Sequence, residues 1–194
     1  MRVSGERMWR IGVNLSVRYA PRRNFTLAHE IGHFIGHRYK KSEFMCTTGN
    51  INDFDVLPLE VEANEFAADL LMPADEFRIA ANNEKFSHKT ITEISERFTV
   101  SRAAAAYRWI KLSSRKVGFV ICGGRASEKL LKMGVFFRSG DEMPNGDSHM
   151  WPKLGQVIER AVPPKVWHAL YDCQESIYRA EVGDYVYTYL DFGA

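Results

Sequence analysis

The chain has 194 residues, 45% of them hydrophobic, with a net charge of +2 and a pI near 8.4. That is long enough to bury a core without disulfides, in one domain or in one with a small appended unit. The charge falls short of the pI above about 9 typical of a dedicated nucleic-acid-binding domain, and no apolar run approaches the roughly 20 residues of a membrane span.

The three cysteines, Cys46, Cys122 and Cys173, are far apart and form no Cys-x-x-Cys pair. A sparse, odd count fits a reducing cytoplasm and not a secreted disulfide framework. Arg2, Arg7 and Arg10 precede no apolar stretch, so no signal peptide is expected.

In chain order, Trp9 to Val17 alternates loosely and reads as a strand. Tyr19 to Asn24, with Pro21 and two arginines, reads as a loop, and Asn24 or Thr26 is suited to cap the next helix. Phe25, Leu27, Ala28, Ile31, Phe34 and Ile35 then recur at helical spacing, predicting a helix to about Tyr39. Gly32 and Gly36 inside it each cost about 1 kcal/mol against alanine, which is easier to understand if another backbone packs close.

Lys40 to Leu57 reads as a long irregular connection. A second helix follows over about Leu59 to Met72, with Pro58 in its first turn and Pro73 just past its end. Ala74 to Asn82 reads as a short helix. Thr90 to Phe98 and Arg102 to Leu112 read as two helices joined by a tight turn. From Ser113 the character changes. Val117 to Ile121 and Val135 to Phe137 look like strands, Leu154 to Ala161 like a helix, and Ser176 to Glu181 with Tyr185 to Phe192 like a hairpin around Gly183-Asp184. The class is α+β: a mainly helical domain over 1–112 with a small N-terminal sheet, ending in a helix-turn-helix-like pair over 90–112, and a strand-rich α+β accessory region over 113–194.

The chemistry sits on the first helix, in His29-Glu30-Ile31-Gly32-His33. Residues four apart on a helix are neighbours, about 5–6 Å between Cβ atoms. Two imidazoles at that spacing can bind one zinc ion, and the intervening Glu30 can act as general base toward an activated water. A catalytic zinc typically takes a third protein ligand. His37 is only one turn beyond His33, and three stacked imidazoles on a continuous helix cannot all converge on one ion. The second helix offers carboxylates instead. Glu60 and Asn64 share the face of Ala63, Ala67, Leu70 and Leu71, with Phe66 at its edge, whereas Glu62, Glu65 and Asp69 fall on the wetter side. A buried carboxylate needs a partner such as a metal, so Glu60 is favoured as third ligand over Glu62 or Glu65. Asn64, one turn on, is placed to orient a ligand histidine.

No Lys or Arg occurs between Glu43 and Glu76, while Asp53, Asp55, Glu60, Glu62, Glu65, Asp69 and Asp75 accumulate there. This is a solvated acidic surface or an electronegative surround for a metal and a basic partner. In the helical pair, a DNA-reading helix would present its N-terminal side chains to base edges. Arg102-Ala103-Ala104-Ala105-Ala106 offers little to hydrogen-bond, which favours close packing over base reading. Tyr185, Tyr187 and Tyr189 line one face of a strand, where sheet packing is favoured over a ligand platform. Cys46, His149 and His168 read as structural or surface residues.

The segment Phe25-Thr26-Leu27-Ala28-His29-Glu30-Ile31-Gly32-His33, followed by Glu60-Val61-Glu62-Ala63-Asn64-Glu65-Phe66-Ala67-Ala68-Asp69-Leu70-Leu71-Met72-Pro73, resembles the ImmA/IrrE family of metallo-endopeptidases over about residues 9 to 112. The resemblance implies a gluzincin-like core with one zinc ion per chain, manganese being the alternative divalent metal. It implies His29, His33 and Glu60 as ligands and Glu30 as base. It also implies a protein substrate, a helix-turn-helix repressor of the XRE/cI-like type, whose cleavage relieves repression of a mobile element, prophage or stress regulon in the cytoplasm. Neither direct nucleic-acid binding nor a membrane is expected. Candidates for a second oxyanion donor are His37, Tyr39, His88 and Tyr107, which the sequence does not rank. The alternative function is a non-hydrolytic zinc-containing regulator that binds a repressor or DNA through residues 90–112.

Overall fold

The structure is a computed structural model and describes residues 9–39, 58–81, 84–123, 130–132, 152–163, 172–181 and 185–193. Among these, five helices precede five strands: α1 (Ala20–His37), α2 (Pro58–Leu71), α3 (Ala74–Ala81), α4 (His88–Arg97) and α5 (Arg102–Leu112), then β1 (Val117–Gly123), β2 (Leu130–Lys132), β3 (Val157–Val162), β4 (Cys173–Arg179) and β5 (Tyr185–Asp191). The α+β class is as expected. The chain divides into two compact units. One holds residues up to Pro73 together with Phe98–Ser101, and the other holds Ala74–Arg97 and Arg102 onward. The change of composition at Ser113 does not coincide with this division, because α3, α4 and α5 group with the strands.

In the first unit, α1 starts earlier than its apolar spacing suggests. Tyr19 is the N-cap and its side chain makes no capping bond. Its carbonyl accepts from the Arg22 and Arg23 amides at 3.1 and 3.3 Å. Pro21 belongs to the opening turn, where its fixed φ suits a helix and its missing N–H would have had no helical acceptor. Neither Asn24 nor Thr26 caps; Asn24 Nδ2 instead donates to the Thr99 carbonyl at 3.4 Å. At the other end the Arg38 guanidinium donates to the Phe34 and Ile35 carbonyls, satisfying acceptors that the last turn leaves open. Trp9 to Val17 is not a strand. No strand of the first unit lies beside it among the described residues, and alternation alone cannot supply a pairing partner.

Helix α2 packs along α1. Pro58 opens it, and Glu60 places a negative charge in its first turn, where the helix dipole favours one. Close approach is possible because Gly32 has no Cβ. One added there would meet the Ala63 Cα and carbonyl oxygen at 3.2 Å and Phe66 Cδ1 at 3.1 Å. Among the described residues Gly36 faces no such neighbour, so there the packing expectation holds for Gly32 alone. Replacing Gly32 with alanine must push backbone against backbone. It is expected to lower stability by about 1–3 kcal/mol despite the better helix propensity of alanine. Urea unfolding of the two proteins checks this, and a more stable alanine variant would refute it.

In the second unit the strands form one antiparallel sheet in the order β2-β1-β5-β4-β3. Val117 pairs with Asp191 at one end of β1–β5, and Ile177 with Thr188 in the middle of β4–β5. The expected hairpin of β4 and β5 is present, with its turn outside the described residues. Phe119, Tyr187 and Tyr189 stack on one face, where Tyr189 is fully buried against Phe86. On the other face Val120, Val162, Cys173 and Leu190 form a second apolar cluster. Leu154 to Ala161 is not a helix. Gly155 turns at φ +75°, its amide donates to the Arg179 carbonyl, and β3 then pairs along β4 from Val157 to Val162. A short apolar run with this spacing is ambiguous between helix and strand, and pairing with β4 decides it. Val135 to Phe137, Cys46, His149 and His168 lie outside the described residues.

Candidate metal centre

The buried face of α1 is polar. Ala28, His29, Gly32, His33 and His37 are buried, while Leu27, Phe34 and Ile35 are exposed. The stripe at 29, 33 and 37 advances one turn at a time, so the three imidazoles stack along the surface that meets α2. Burying such groups costs free energy unless each finds a partner, and α2 supplies the partners.

His29 Nδ1 lies 2.9 Å from Asn64 Oδ1. An amide oxygen only accepts, so His29 donates there and turns the bare Nε2 the other way. That Nε2 lies 3.0 Å from His33 Nε2 and 3.2 Å from Glu60 Oε2, and His33 Nε2 lies 3.3 Å from Glu60 Oε1. Glu60 Oε2 is buried, yet no hydrogen bond of acceptable geometry reaches it. Burial, and then the neighbouring His29, hold the His33 imidazole below its ordinary pKa, which favours the neutral, ligating form.

His29, His33 and Glu60 therefore bring one ligand atom each into a common space. The two Nε2 atoms lie 3.0 Å apart, and each has a Glu60 oxygen near it, Oε2 at 3.2 Å from His29 and Oε1 at 3.3 Å from His33, a spacing compact enough for one ion that takes nitrogen and oxygen at about 2.0–2.2 Å. Two neutral imidazoles and a carboxylate leave a fourth position open, as catalytic zinc sites do. The donor set fits such an ion, and the orphaned Glu60 oxygen is the atom that most needs it.

A model of the peptidase family described as the IrrE N-terminal-like domain matches residues 2–109, more than half of the chain. The chain belongs to this ImmA/IrrE family. Among curated proteins none matches. A solved Mycobacterium tuberculosis transcriptional regulator is similar in fold, with TM-score 0.56 and 16% identity over 88% of this ImmA/IrrE chain. The chain spans 56% of that regulator.

The other residues singled out from the sequence fall as follows. Glu30 follows His29 in α1 and is half-buried. Asn64 bonds His29, as the helix-face argument anticipates. His37 is not at the open side of the cluster. Its Nδ1 lies 3.0 Å behind His33, against His33 Nδ1, and its Nε2 lies 2.8 Å from Glu62 Oε2, so it is not placed as an oxyanion donor. Tyr39 is 86% exposed and lies under the Arg38 guanidinium. Tyr107 belongs to the second unit, where it packs edge-on to Phe119 and burial pushes its hydroxyl up to about 12. His88, in the same unit, stacks on Tyr178. Sequence reasoning missed the pairing of His37 with Glu62. The signal was the one-turn step from His33 to His37, facing a carboxylate two residues past Glu60. Among the described residues no helix is long and apolar enough to cross a membrane.

Proposed function

We propose that this protein is a zinc-dependent endopeptidase of the cytoplasm that cleaves a helix-turn-helix repressor of the XRE/cI-like type and so relieves repression of a mobile element or stress regulon. The observation that carries the reading is the convergence of His29, His33 and Glu60, directly beside Glu30 in the helix. Membership of a peptidase family supports the reaction class.

When bound at this cluster, zinc supplies Lewis acidity toward water and toward the scissile carbonyl. His29, His33 and Glu60 would hold it, each through one ligand atom. Asn64 fixes the His29 ring. Glu30 takes a proton from the attacking water as the new C–O bond forms, and returns it to the amide nitrogen as the C–N bond breaks.

A regulator that binds DNA through residues 90–112 is the competing reading, and the fold shared with a transcriptional regulator is what favours it. The chemistry of α5 counts against it. Ala105, Ala106, Arg108, Trp109 and Ile110 are buried, and the Arg102 guanidinium lies over the Tyr178 ring at 4.8 Å, so this helix spends its side chains on packing.

The test uses the purified, zinc-loaded chain added to a lysate of its own host, with new protein N-termini mapped by mass spectrometry. We expect cleavage within a helix-turn-helix protein, abolished by a chelator and restored by added zinc. Absence of any chelator-sensitive N-terminus would leave the non-hydrolytic regulator as the better reading.

A further inference from the structure

We infer that His37 and Glu62 are positioning residues that together decide which nitrogen His33 turns toward His29 and Glu60. The inference rests on the reading of that cluster as a metal centre, and its logic is proton accounting along one line of atoms.

The line starts at Glu62 on α2, whose side chain is 57% exposed. An ionised carboxylate accepts and cannot donate. Glu62 Oε2 lies 2.8 Å from His37 Nε2, so that nitrogen carries a proton. In a neutral imidazole the other nitrogen is then bare. His37 Nδ1 lies 3.0 Å from His33 Nδ1, and two bare nitrogens at that distance would repel. Once a cation is held among His29 Nε2, His33 Nε2 and Glu60, which removes the same repulsion from the 3.0 Å approach of the two Nε2 atoms, His33 Nδ1 carries the proton and His33 Nε2 presents its lone pair to the cation. The opposite assignment would set the bare nitrogen of His37 against a carboxylate at 2.8 Å.

His29 reaches the same state by a shorter route, because Asn64 Oδ1 accepts directly from its Nδ1. The two imidazoles are thus oriented by different devices, an amide for one and a carboxylate–imidazole relay for the other. His37 is buried, so it has no easy replacement by water. Partners behind metal-ligating histidines fix the tautomer and raise ligand basicity, and their loss typically costs about 10–100-fold in metal affinity.

The test has two readouts on the full chain. In the zinc-loaded, 15N-labelled protein, long-range 1H–15N correlations of the imidazole rings are expected to show His33 protonated at Nδ1 and His37 at Nε2, each assigned by the signal lost on substitution. Zinc affinity is then measured by competition with a chromophoric chelator. His37→Leu is expected to weaken zinc about 10–100-fold. His37→Gln, which keeps an acceptor for His33 Nδ1, should recover part of the loss. Glu62→Ala acts from the exposed end without disturbing buried packing, and should weaken zinc and mix the His37 tautomers even if His37→Leu fails to fold. Glu62→Gln, which retains an accepting oxygen, should stay nearer the wild type than Glu62→Ala.

His33 protonated at Nε2, or a doubly protonated His37, would overturn the inference. So would folded His37→Leu and Glu62→Ala variants that bind zinc within about twofold of wild type. A wild type that binds no zinc would overturn the metal-centre reading and this inference together, whereas zinc bound at a site whose His37 is protonated at Nδ1 would overturn this inference alone.

Discussion

Replacing Glu30 with glutamine is expected to leave zinc in place and remove cleavage. The substitution keeps the length and shape of the side chain and takes away its capacity to accept a proton. Glu30 is not among the three residues whose ligand atoms converge, so metal content should stay near one ion per chain. General acid–base groups contribute about 10²–10⁴-fold to rate, and hydrolysis should fall by that order. The check is parallel mass-spectrometric metal analysis and N-terminal mapping in host lysate, wild type against Glu30→Gln. Undiminished cleavage would remove Glu30 from the reaction. Lost metal would show that it acts through the site's architecture instead.

Glu60→Gln is expected to have the larger effect on binding itself. Glu60 is the one charged member of the converging trio, and its Oε2 has no other hydrogen-bond partner. An amide oxygen is a weaker ligand and leaves no negative charge to offset the cation. The affinity loss should exceed the roughly 10–100-fold expected for losing an outer partner. Binding only to the folded state at 100 times the dissociation constant adds about 2.7 kcal/mol of stability, so wild type should melt later when zinc is added and Glu60→Gln should not. Glu65→Gln, on the exposed side of α2, should behave as wild type in both measurements. Equal zinc content in Glu60→Gln and wild type would point to a different third ligand.

The two halves of the site differed in how far spacing alone revealed them. His29 and His33 are four apart, and the facial argument on α2 separated Glu60 from Glu65 without any coordinates. On α1 the hydrophobic periodicity marks a helix but not its buried side. Leu27, Phe34 and Ile35 carry the apolar pattern and are exposed, whereas the histidine stripe is buried. A stripe of polar rings becomes a good buried surface only when Asn64, Glu60 and Glu62 come to meet it, and that complementarity lies on a different segment. The same limit explains Glu62, which shares the outer face of α2 in projection yet reaches back to His37. In the second unit, β1 and the β4–β5 hairpin were legible from β-branched and aromatic runs. The strand over Val157–Val162 was not, because its apolar residues suit either period and only the partner strand settles the matter.

The place of β5 in the sheet has a consequence for how the chain is made. Strands β1 and β2 can find each other as soon as both leave the ribosome, and so can β3 and β4. Among the described strands, β5 is what joins the two pairs, with β1 on one side and β4 on the other. Its register runs from Val117↔Asp191 to Gly123↔Tyr185, so the first strand of the sheet must wait for the last. Pairings between segments this far apart form slowly, since loop closure precedes any gain from contact. During that interval β1 and β4 each present an open edge, the kind that invites pairing with other chains. A premature stop after Arg179 and before Tyr185 would make that interval permanent. Such a product is expected to be a substrate for quality control, not a smaller working protein, even though every residue of the metal cluster would be present in it.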